Sequence, residues 1–376
     1  MRVLSLILLL SLSAFAFAQS PAPAQSPWQM QDSGTTAGLR GIYSVDGTIA
    51  WASGTDGTVL RTIDGGAHWQ KCAIPDAATD GATLDFRGVQ AWNANTAIVM
   101  SSGKGKLSRL YKTTDGCKTW KLILKNRDKE GFWDALYFDR GQWGWLLGDP
   151  VEGKFTVFVT SDRGKFWDKL PNPSLRVTPK TQSAFAASNS SLLSSESAGP
   201  FVTGGTGGSF SYAIEDRWVC CDCSDDSARH VFKEKKWIAR QIPIGEKTNS
   251  SGAFSIAVKT SNVIPPMWNA VYVVVGGDYT KPNESNHTAA WSIDSGKNWT
   301  ASTTPPHGFR SAVQWSEALK LWITVGTNGS DISRDDGKTW QPLDNGNWNA
   351  LSLPFVVGPN GRIARLNPVA LPPSTP

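Results

Sequence analysis

A small set of charged and polar side chains recurs at matching places along the chain, where they could bind or convert a ligand. Some belong to a short repeated strand and others to the loops that follow: Arg40, Arg87, Asp134, Arg310, Asn349, Asp149, Asp278, Lys281 and Glu284. Arginines bind carboxylates through paired hydrogen bonds, so clustered arginines predict a site for a carboxylate or an acidic peptide. Paired carboxylates are instead typical of glycoside hydrolysis. A third interpretation is that these charges pair with one another and only hydrate a channel.

A second pattern, Ser or Thr, any, Asp, any, Gly, any, any, Trp, is explained by turn formation. It occurs at residues 62–69, 160–167, 292–299 and 333–340, and at 113–120 with Cys117 in place of the glycine. Asp and the hydroxyl can bond backbone groups in a tight turn, and glycine supplies a positive φ. These octapeptides resemble the Asp boxes of sialidase-like β-propellers. We therefore predict a structural role, not a catalytic one, for their aspartates: Asp64, Asp115, Asp162, Asp294 and Asp335.

The elements that must position these side chains are short strands in a repeated order. Seven copies of an apolar first strand begin at residues 39, 86, 133, 185, 254, 309 and 348, and a second apolar strand follows. Units of four strands at intervals of about 40–50 residues are typical of propeller blades. The sequence therefore predicts an all-β, seven-bladed β-propeller over residues 28–368. The last unit lacks one strand, and we expect the N-terminal strand near 28–31 to close the ring.

The first residues of the chain have the pattern of a secretory leader. Arg2 precedes an apolar run, and Ala16 and Ala18 form a small-residue cleavage pattern. We predict a signal peptide over residues 1–18, a flexible lead over 19–27 and a Pro-rich tail over 369–376. The mature protein is expected in the periplasm or secreted, without membrane insertion after cleavage.

The composition excludes several classes of protein. With 36 Gly, 22 Pro and 18% charged residues, the 376-residue chain is not a coiled coil, a disordered chain or a helical membrane bundle. Its 37 basic and 32 acidic residues are spread along the chain, so we expect no nucleic-acid partner. Because there are only 4 histidines and no GxGxxG motif opening a helix, we predict no metal and no cofactor.

The five cysteines leave two questions open. An odd number in an exported protein leaves at least one thiol free or paired between chains. Cys72 and Cys117 meet only if adjacent blades bring them within disulfide geometry. Cys220, Cys221 and Cys223 lie in an irregular part of the fourth unit, where a local disulfide or loop chemistry is favoured over a metal site.

The ordered combination of strand and loop motifs resembles the photosystem II stability and assembly factor family, in its bacterial branch. The resemblance covers roughly residues 39–366 and is carried by FRGV (86–89), GDPVEGKF (148–155), GGDYTKPNE (276–284) and FRSAV (309–313). It implies a seven-bladed propeller that acts as a non-catalytic assembly factor. It also implies docking of membrane-protein intermediates, partly through an arginine patch. Because many bacteria without photosystems have such proteins, it does not imply photosynthesis.

Two functions follow from these observations. The first is a monomeric exported propeller that binds a protein or peptide through an Arg- and Asp-rich channel rim. The second is an exported sialidase-like or other glycoside hydrolase of the Asp-box class. A sialidase needs three arginines on one carboxylate, which Arg40, Arg87 and Arg310 could supply, and a Tyr/Glu nucleophile pair, of which the sequence gives no sign. Binding is therefore the favoured hypothesis, and enzymatic activity is the alternative.

Overall fold

Strands account for nearly all regular structure. The computed structural model describes residues 25–139, 142–170, 175–177, 181–193, 200–220, 231–259 and 270–373, with the backbone alone at 216–220 and 231–235. The leader proposed at 1–18, together with Cys221 and Cys223, lies outside the described residues. Helical structure in the described residues is limited to three short 3₁₀ helices, at Gly81–Thr83, Gly105–Leu107 and Pro368–Ala370.

Twenty-eight strands follow one another along the described chain. The first seven are β1 (Trp28–Gln31), β2 (Leu39–Ser44), β3 (Ala50–Gly54), β4 (Val59–Thr62), β5 (Gln70–Lys71), β6 (Phe86–Ala91) and β7 (Ala97–Ser101). The next seven are β8 (Arg109–Thr113), β9 (Lys121–Lys125), β10 (Trp133–Phe138), β11 (Gly144–Val151), β12 (Lys154–Thr160), β13 (Asp168–Lys169) and β14 (Gln182–Ser183).

The second half of the chain continues in the same way. It contains β15 (Phe201–Gly205), β16 (Ser209–Cys220), β17 (Val231–Ile242), β18 (Ser251–Lys259), β19 (Val271–Asp278), β20 (Ala289–Ser292) and β21 (Thr300–Ala301). The last seven strands are β22 (Ala312–Ser316), β23 (Leu321–Gly326), β24 (Gly329–Ser333), β25 (Gln341–Asp344), β26 (Ala350–Ser352), β27 (Phe355–Val357) and β28 (Ile363–Leu366).

The strands form antiparallel sheets in which neighbours in sequence are mostly neighbours in space. Four sheets are simple four-stranded meanders: β2 to β5, β6 to β9, β10 to β13 and β22 to β25. A larger, eight-stranded sheet has the order β17-β16-β15-β18-β19-β20-β21, with β14 paired to β15. The last sheet has the order β1-β28-β27-β26, with Trp28 opposite Leu366 and Gln31 opposite Ile363. The predicted all-β fold is confirmed.

The sheets pack face to face, and their first strands lie next to one another. Strand β6 contacts β2 and β10, β26 contacts β2 and β22, and β18 contacts β22. The second strands are buried throughout in several sheets, as in β3 and β7. In β3, Trp51 joins a hydrophobic cluster with Phe86 of the following sheet, whereas Ala52 joins one with Phe355 of the last sheet. Each sheet is thus covered on both faces by its neighbours.

The octapeptide turns connect the third and fourth strands of their sheets. In the first of them, the Thr62 hydroxyl donates to Asp64 Oδ1 (2.8 Å) and accepts from the Gly66 N–H (2.9 Å). The His68 N–H also donates to Asp64 Oδ1 (3.0 Å), and these hydrogen bonds lower the pKa of Asp64 to about 2. The other four turns repeat the bond from the fifth residue's N–H to the first residue's hydroxyl. Turn geometry therefore accounts for the aspartate in each motif.

A disulfide joins two neighbouring sheets. Cys72, just after β5, is bonded to Cys117 in the next sheet's turn, with Cα atoms 5.3 Å apart and a sequence separation of 45 residues. Cys117 has φ 64°, and the glycines at the same motif position also have positive φ, such as Gly66 at 86°. Cys117 therefore accepts a left-handed conformation that glycine adopts at lower cost.

Candidate functional site

The main cavity lies where the first strands of the sheets come together. It has a volume of about 560 Å³. Five of the nine candidate residues line it: Arg40, Arg87, Asp134, Asp149 and Asn349. The repeated strands thus bring two arginines, Arg40 and Arg87, and two aspartates, Asp134 and Asp149, into the same cavity.

A shared backbone irregularity directs these side chains into the cavity. The pairing of β2, β6 and β10 with their partner strands shifts register across Arg40, Arg87 and Asp134, respectively. A shift in β11 likewise spans Asp149. A bulged residue leaves the ladder, so its side chain can be aimed away from the packed faces of the sheet. The second position of each first strand is therefore a site position in these sheets.

The two arginines share a single carboxylate. Arg87 Nε donates to Asp85 Oδ2 (2.8 Å), and Arg87 Nη1 donates to the Ala186 carbonyl (3.1 Å). Arg40 Nε lies 3.3 Å from Asp85 Oδ1 but makes no hydrogen bond to the described residues. Burial lowers the pKa of Arg40; Asp85 raises it, and Arg87 lowers it further. Two guanidinium groups beside one carboxylate leave N–H donors for an anionic ligand.

Asp134 and Asp149 are two neighbouring acids whose carboxylates repel each other, and their charge is opposite to that of the arginines. Asp134 is 1% exposed, and its Oδ2 has no hydrogen-bond partner among the described residues. Asp149 Oδ1 accepts from the Ala184 N–H (3.0 Å). Burial, with repulsion from Asp149, raises the pKa of Asp134 well above its usual range despite the nearby Arg87. Burial also raises the pKa of Asp149 to about 6, so the pair retains a proton close to neutral pH.

An aromatic cluster, which the sequence reasoning missed, lines another part of the cavity. It consists of Phe185, Phe254, Tyr279 and Phe309. The register of β18 shifts across Phe254, so this phenylalanine occupies the bulge position that Arg40 and Arg87 hold in their strands. The sequence alignment of FSIA (254–257) with FRGV (86–89) matched Phe254 with Phe86, whereas Phe254 corresponds to Arg87 in the structure. The alanine before Phe254 occupies the position of the buried Leu39, and this alanine was the signal that the alignment missed.

Arg310 does not line the cavity. Its N–H donates to the Gly276 carbonyl, as the N–H of Leu39 does to Gly358 and that of Trp348 to Gly326. Arg310 therefore occupies the buried position of Leu39 and Trp348, one residue before the bulge, and Ser311 lines the cavity instead. The repeat alignment, which equated Arg310 with Arg87, is offset by one residue here.

The Arg310 guanidinium is fully buried among fixed partners. Its Nε donates to Asp331 Oδ2 (2.6 Å), and its Nη1 donates to Asn328 Oδ1 (2.5 Å). The side chains of Arg310 and Asp331 are both 0% exposed. His307 Nδ1 lies 2.7 Å from the other oxygen of Asp331. Arg310 thus serves the packing between strands, and its charge is already neutralised.

Three of the remaining candidates, Asp278, Lys281 and Glu284, lie outside the cavity lining. Asp278 accepts hydrogen bonds from Thr280 on Oδ1 and from Thr248 on Oδ2, so both of its oxygens already have partners. Lys281 forms an exposed ion pair with Glu284 at 3.4 Å. Asn349, which does line the cavity, donates its Nδ2 to the Leu39 carbonyl (2.8 Å).

The described residues contain no metal centre and no membrane-spanning helix. No group of three or more His, Cys, Asp or Glu side chains in the described ranges could hold a metal ion. None of the helices described there is long and apolar enough to cross a bilayer. The Cys220, Cys221 and Cys223 side chains lie outside the described part and contribute to neither statement.

Comparisons with known proteins give a related sequence and related solved structures. No family model matches the chain. The photosystem II assembly lipoprotein Ycf48 of Synechococcus sp. (strain CC9902) is 26% identical over 148 residues, which are 39% of this chain and 40% of that protein. The match therefore spans about two fifths of the curated relative's length.

Two solved structures match almost the whole chain. YCF48 bound to a D1 peptide has a TM-score of 0.58 at 19% identity, covering 92% of this chain and 98% of that one. YCF48 from Cyanidioschyzon merolae has a TM-score of 0.57 at 17% identity, covering 92% and 100%. At this identity the structures establish the fold, a β-propeller. The sequence relative and the fold neighbours thus bear out the resemblance, and the chain is similar to the photosystem II stability and assembly factors in sequence and fold.

Proposed function

We propose that the chain is an exported, non-catalytic propeller that binds an acidic segment of a protein partner and assists its assembly. The cavity between the first strands is the proposed binding site. The curated relative is an assembly protein, and one fold neighbour is bound to a peptide, which supports this class of partner. We infer the chemical class of the partner from the residues that line the cavity.

The proposed architecture has seven blades. The eight-stranded sheet counts as two blades, β14 to β17 and β18 to β21, because each half contains four successive strands. Strand β1 then supplies the fourth strand of the last blade through its pairing with β28. This arrangement is supported by the chain of contacts that runs from β10 through β6, β2, β26, β22 and β18 to β15.

The observation that carries the proposed function is the arginine pair with donors to spare. Asp85 is the carboxylate that Arg40 and Arg87 share, and Arg40 Nε has no hydrogen-bond partner among the described residues. Their side chains are 35% and 27% exposed, so a ligand can reach them while partial burial strengthens the interaction. A carboxylate of an acidic peptide is the group that two parallel guanidinium donors fit best.

Glycoside hydrolysis is the second candidate, favoured by one observation. The coupled Asp134 and Asp149 have raised pKa values, as a general acid requires. The sialidase version needs three arginines on one carboxylate, but Arg310 is buried against Asp331 and does not line the cavity. Turnover of aryl glycosides that disappears in an Asp134→Asn variant is the result that would favour this candidate.

Peptide binding tests the proposal directly. Calorimetric titration compares acidic peptides, including the D1 peptide, with counterparts in which Asn and Gln replace every Asp and Glu. We expect the acidic peptides to bind more tightly, and Arg40→Gln with Arg87→Gln to weaken them about 10- to 100-fold. Lys281→Gln, which removes an exposed cation outside the cavity, is the matched control. Equal binding of acidic and amidated peptides, or an unaffected double variant, would contradict the proposal.

A further inference from the structure

Arg40 and Arg87 line only one side of the cavity. On another side, the rings of Phe185 and Phe254 stack with centroids 3.9 Å apart, and Phe309 packs edge-on to Phe254 at 4.8 Å. Tyr279 also packs edge-on to Phe254, at 6.2 Å, yet 52% of this tyrosine is exposed. Clustered rings with a half-exposed member form a surface that a further large apolar side chain can cover.

The aromatic cluster and the arginines face the same space because the same bulge presents both. The bulges of β2 and β6 present Arg40 and Arg87, and the bulge of β18 presents Phe254. All three residues line the cavity of about 560 Å³. A cavity of this size encloses a drug-sized ligand, which corresponds to about two or three peptide residues. One short segment can therefore reach both sides at once.

We propose that the site selects peptide segments in which an aromatic side chain lies within about two residues of the acidic group. The acid binds Arg40 and Arg87, and the ring packs on the aromatic cluster. This inference rests on the proposed function, because it names the class of peptide that the same cavity takes. It excludes peptides that are merely acidic as the preferred ligands.

Three capped pentapeptides test the selectivity: acetyl-Gly-Asp-Gly-Phe-Gly-amide, the same peptide with Ala for Phe, and the same peptide with Asn for Asp. We expect the Phe peptide to bind about tenfold more tightly than the Ala peptide, because one aromatic side chain leaves water. Tyr279→Ala is expected to remove most of this preference, so that the ratio of the two affinities falls towards one. Phe166→Ala, which removes a 78% exposed ring outside the cavity lining, is the matched control.

Each outcome separates this inference from the proposed function. Equal affinity for the Phe and Ala peptides, both above that of the Asn peptide, would overturn the inference and leave acidic-peptide binding standing. No preference for the Asp peptides over the Asn peptide would overturn both. Phe254→Leu is the second variant, because it shortens the ring cluster with little loss of volume. A tenfold preference that survives in both Tyr279→Ala and Phe254→Leu would also overturn the inference.

Discussion

Replacing Asp149 by Asn is expected to stabilise the protein, and to do so only at neutral and alkaline pH. In the native state, burial raises the pKa of Asp149 to about 6, from its ordinary value of 3.8. The Asp149 carboxyl therefore loses its proton at a lower pH in the unfolded chain than in the native protein. Its protonation stabilises the native state below about pH 4, and this stabilisation is lost as the pH rises through 6. The asparagine amide of the Asp149→Asn variant carries no charge and can still accept the hydrogen bond from the Ala184 N–H.

The expected size of the effect comes from the shift of about two pKa units. At about 1.4 kcal/mol per unit, the charged carboxylate costs up to about 3 kcal/mol at pH 8. Because Asp149 is partly exposed and interacts with Asp134, we expect Asp149→Asn to raise the free energy of unfolding by about 1 to 3 kcal/mol. At pH 4 the difference should be close to zero.

Urea unfolding followed by tryptophan fluorescence at pH 4.5, 6 and 8 measures this difference. Asp168→Asn, at an exposed position in β13, is the matched control and should show no such pH dependence. A double-mutant cycle with Asp134→Asn should be non-additive, since removing either charge relieves the repulsion on the other. If Asp149→Asn changes stability equally at all three pH values, or destabilises the protein at pH 8, the reasoning about this acid pair is wrong.

Three further predictions concern stability. Arg310→Met should lower the free energy of unfolding by about 3 to 5 kcal/mol, because the buried Asp331 loses its guanidinium partner and keeps only His307. Adding Asp331→Leu should recover most of the loss, and chemical denaturation of the single and double variants measures both changes. Removing the disulfide by Cys72→Ala with Cys117→Ala should cost about 4 kcal/mol, because the disulfide closes a 45-residue loop. Cys117→Gly in place of Cys117→Ala should recover about 1 kcal/mol, because residue 117 has a left-handed conformation. The shift in Tm measures each effect, and equal Tm values with and without the disulfide would contradict the first. Asp335→Ala should cost about 1 to 2 kcal/mol through its lost turn hydrogen bonds, with peptide binding unchanged.

The parts of the fold that depend on local chemistry could be predicted from the sequence. The turn of residues 62–69 is defined by a hydroxyl, a carboxylate and a glycine within five positions, so its pattern is visible in the chain. The apolar second strands, such as β3, are similarly recognisable because both of their faces are buried. These features need no knowledge of distant residues, and the all-β architecture follows from their repetition.

The parts that depend on register or on distant partners could not be predicted. Arg310 and Arg87 stand in nearly identical tetrapeptides, yet one is buried and the other lines the cavity, because the bulge position depends on pairing with the next strand. Phe254 lines the cavity because its bulge position is likewise offset by one residue from the sequence alignment. Asp134 and Asp149 meet only because two paired strands both bulge at the same end. Similarly, the bond between Cys72 and Cys117 depends on how two sheets pack.

The pairing of β1 with β28 has a consequence for how the protein is made. Trp28 of β1 donates its indole N–H to Ser330, 302 positions later in the chain. At typical synthesis rates, the emerging chain waits about 15 to 60 s for that partner. Over this interval β1 has an open edge, so completion of this sheet depends on residues that are made much later. Loss of either β1 or β28 would undo the same pairing, and the two strands therefore act as a single cooperative unit although they are made far apart in time.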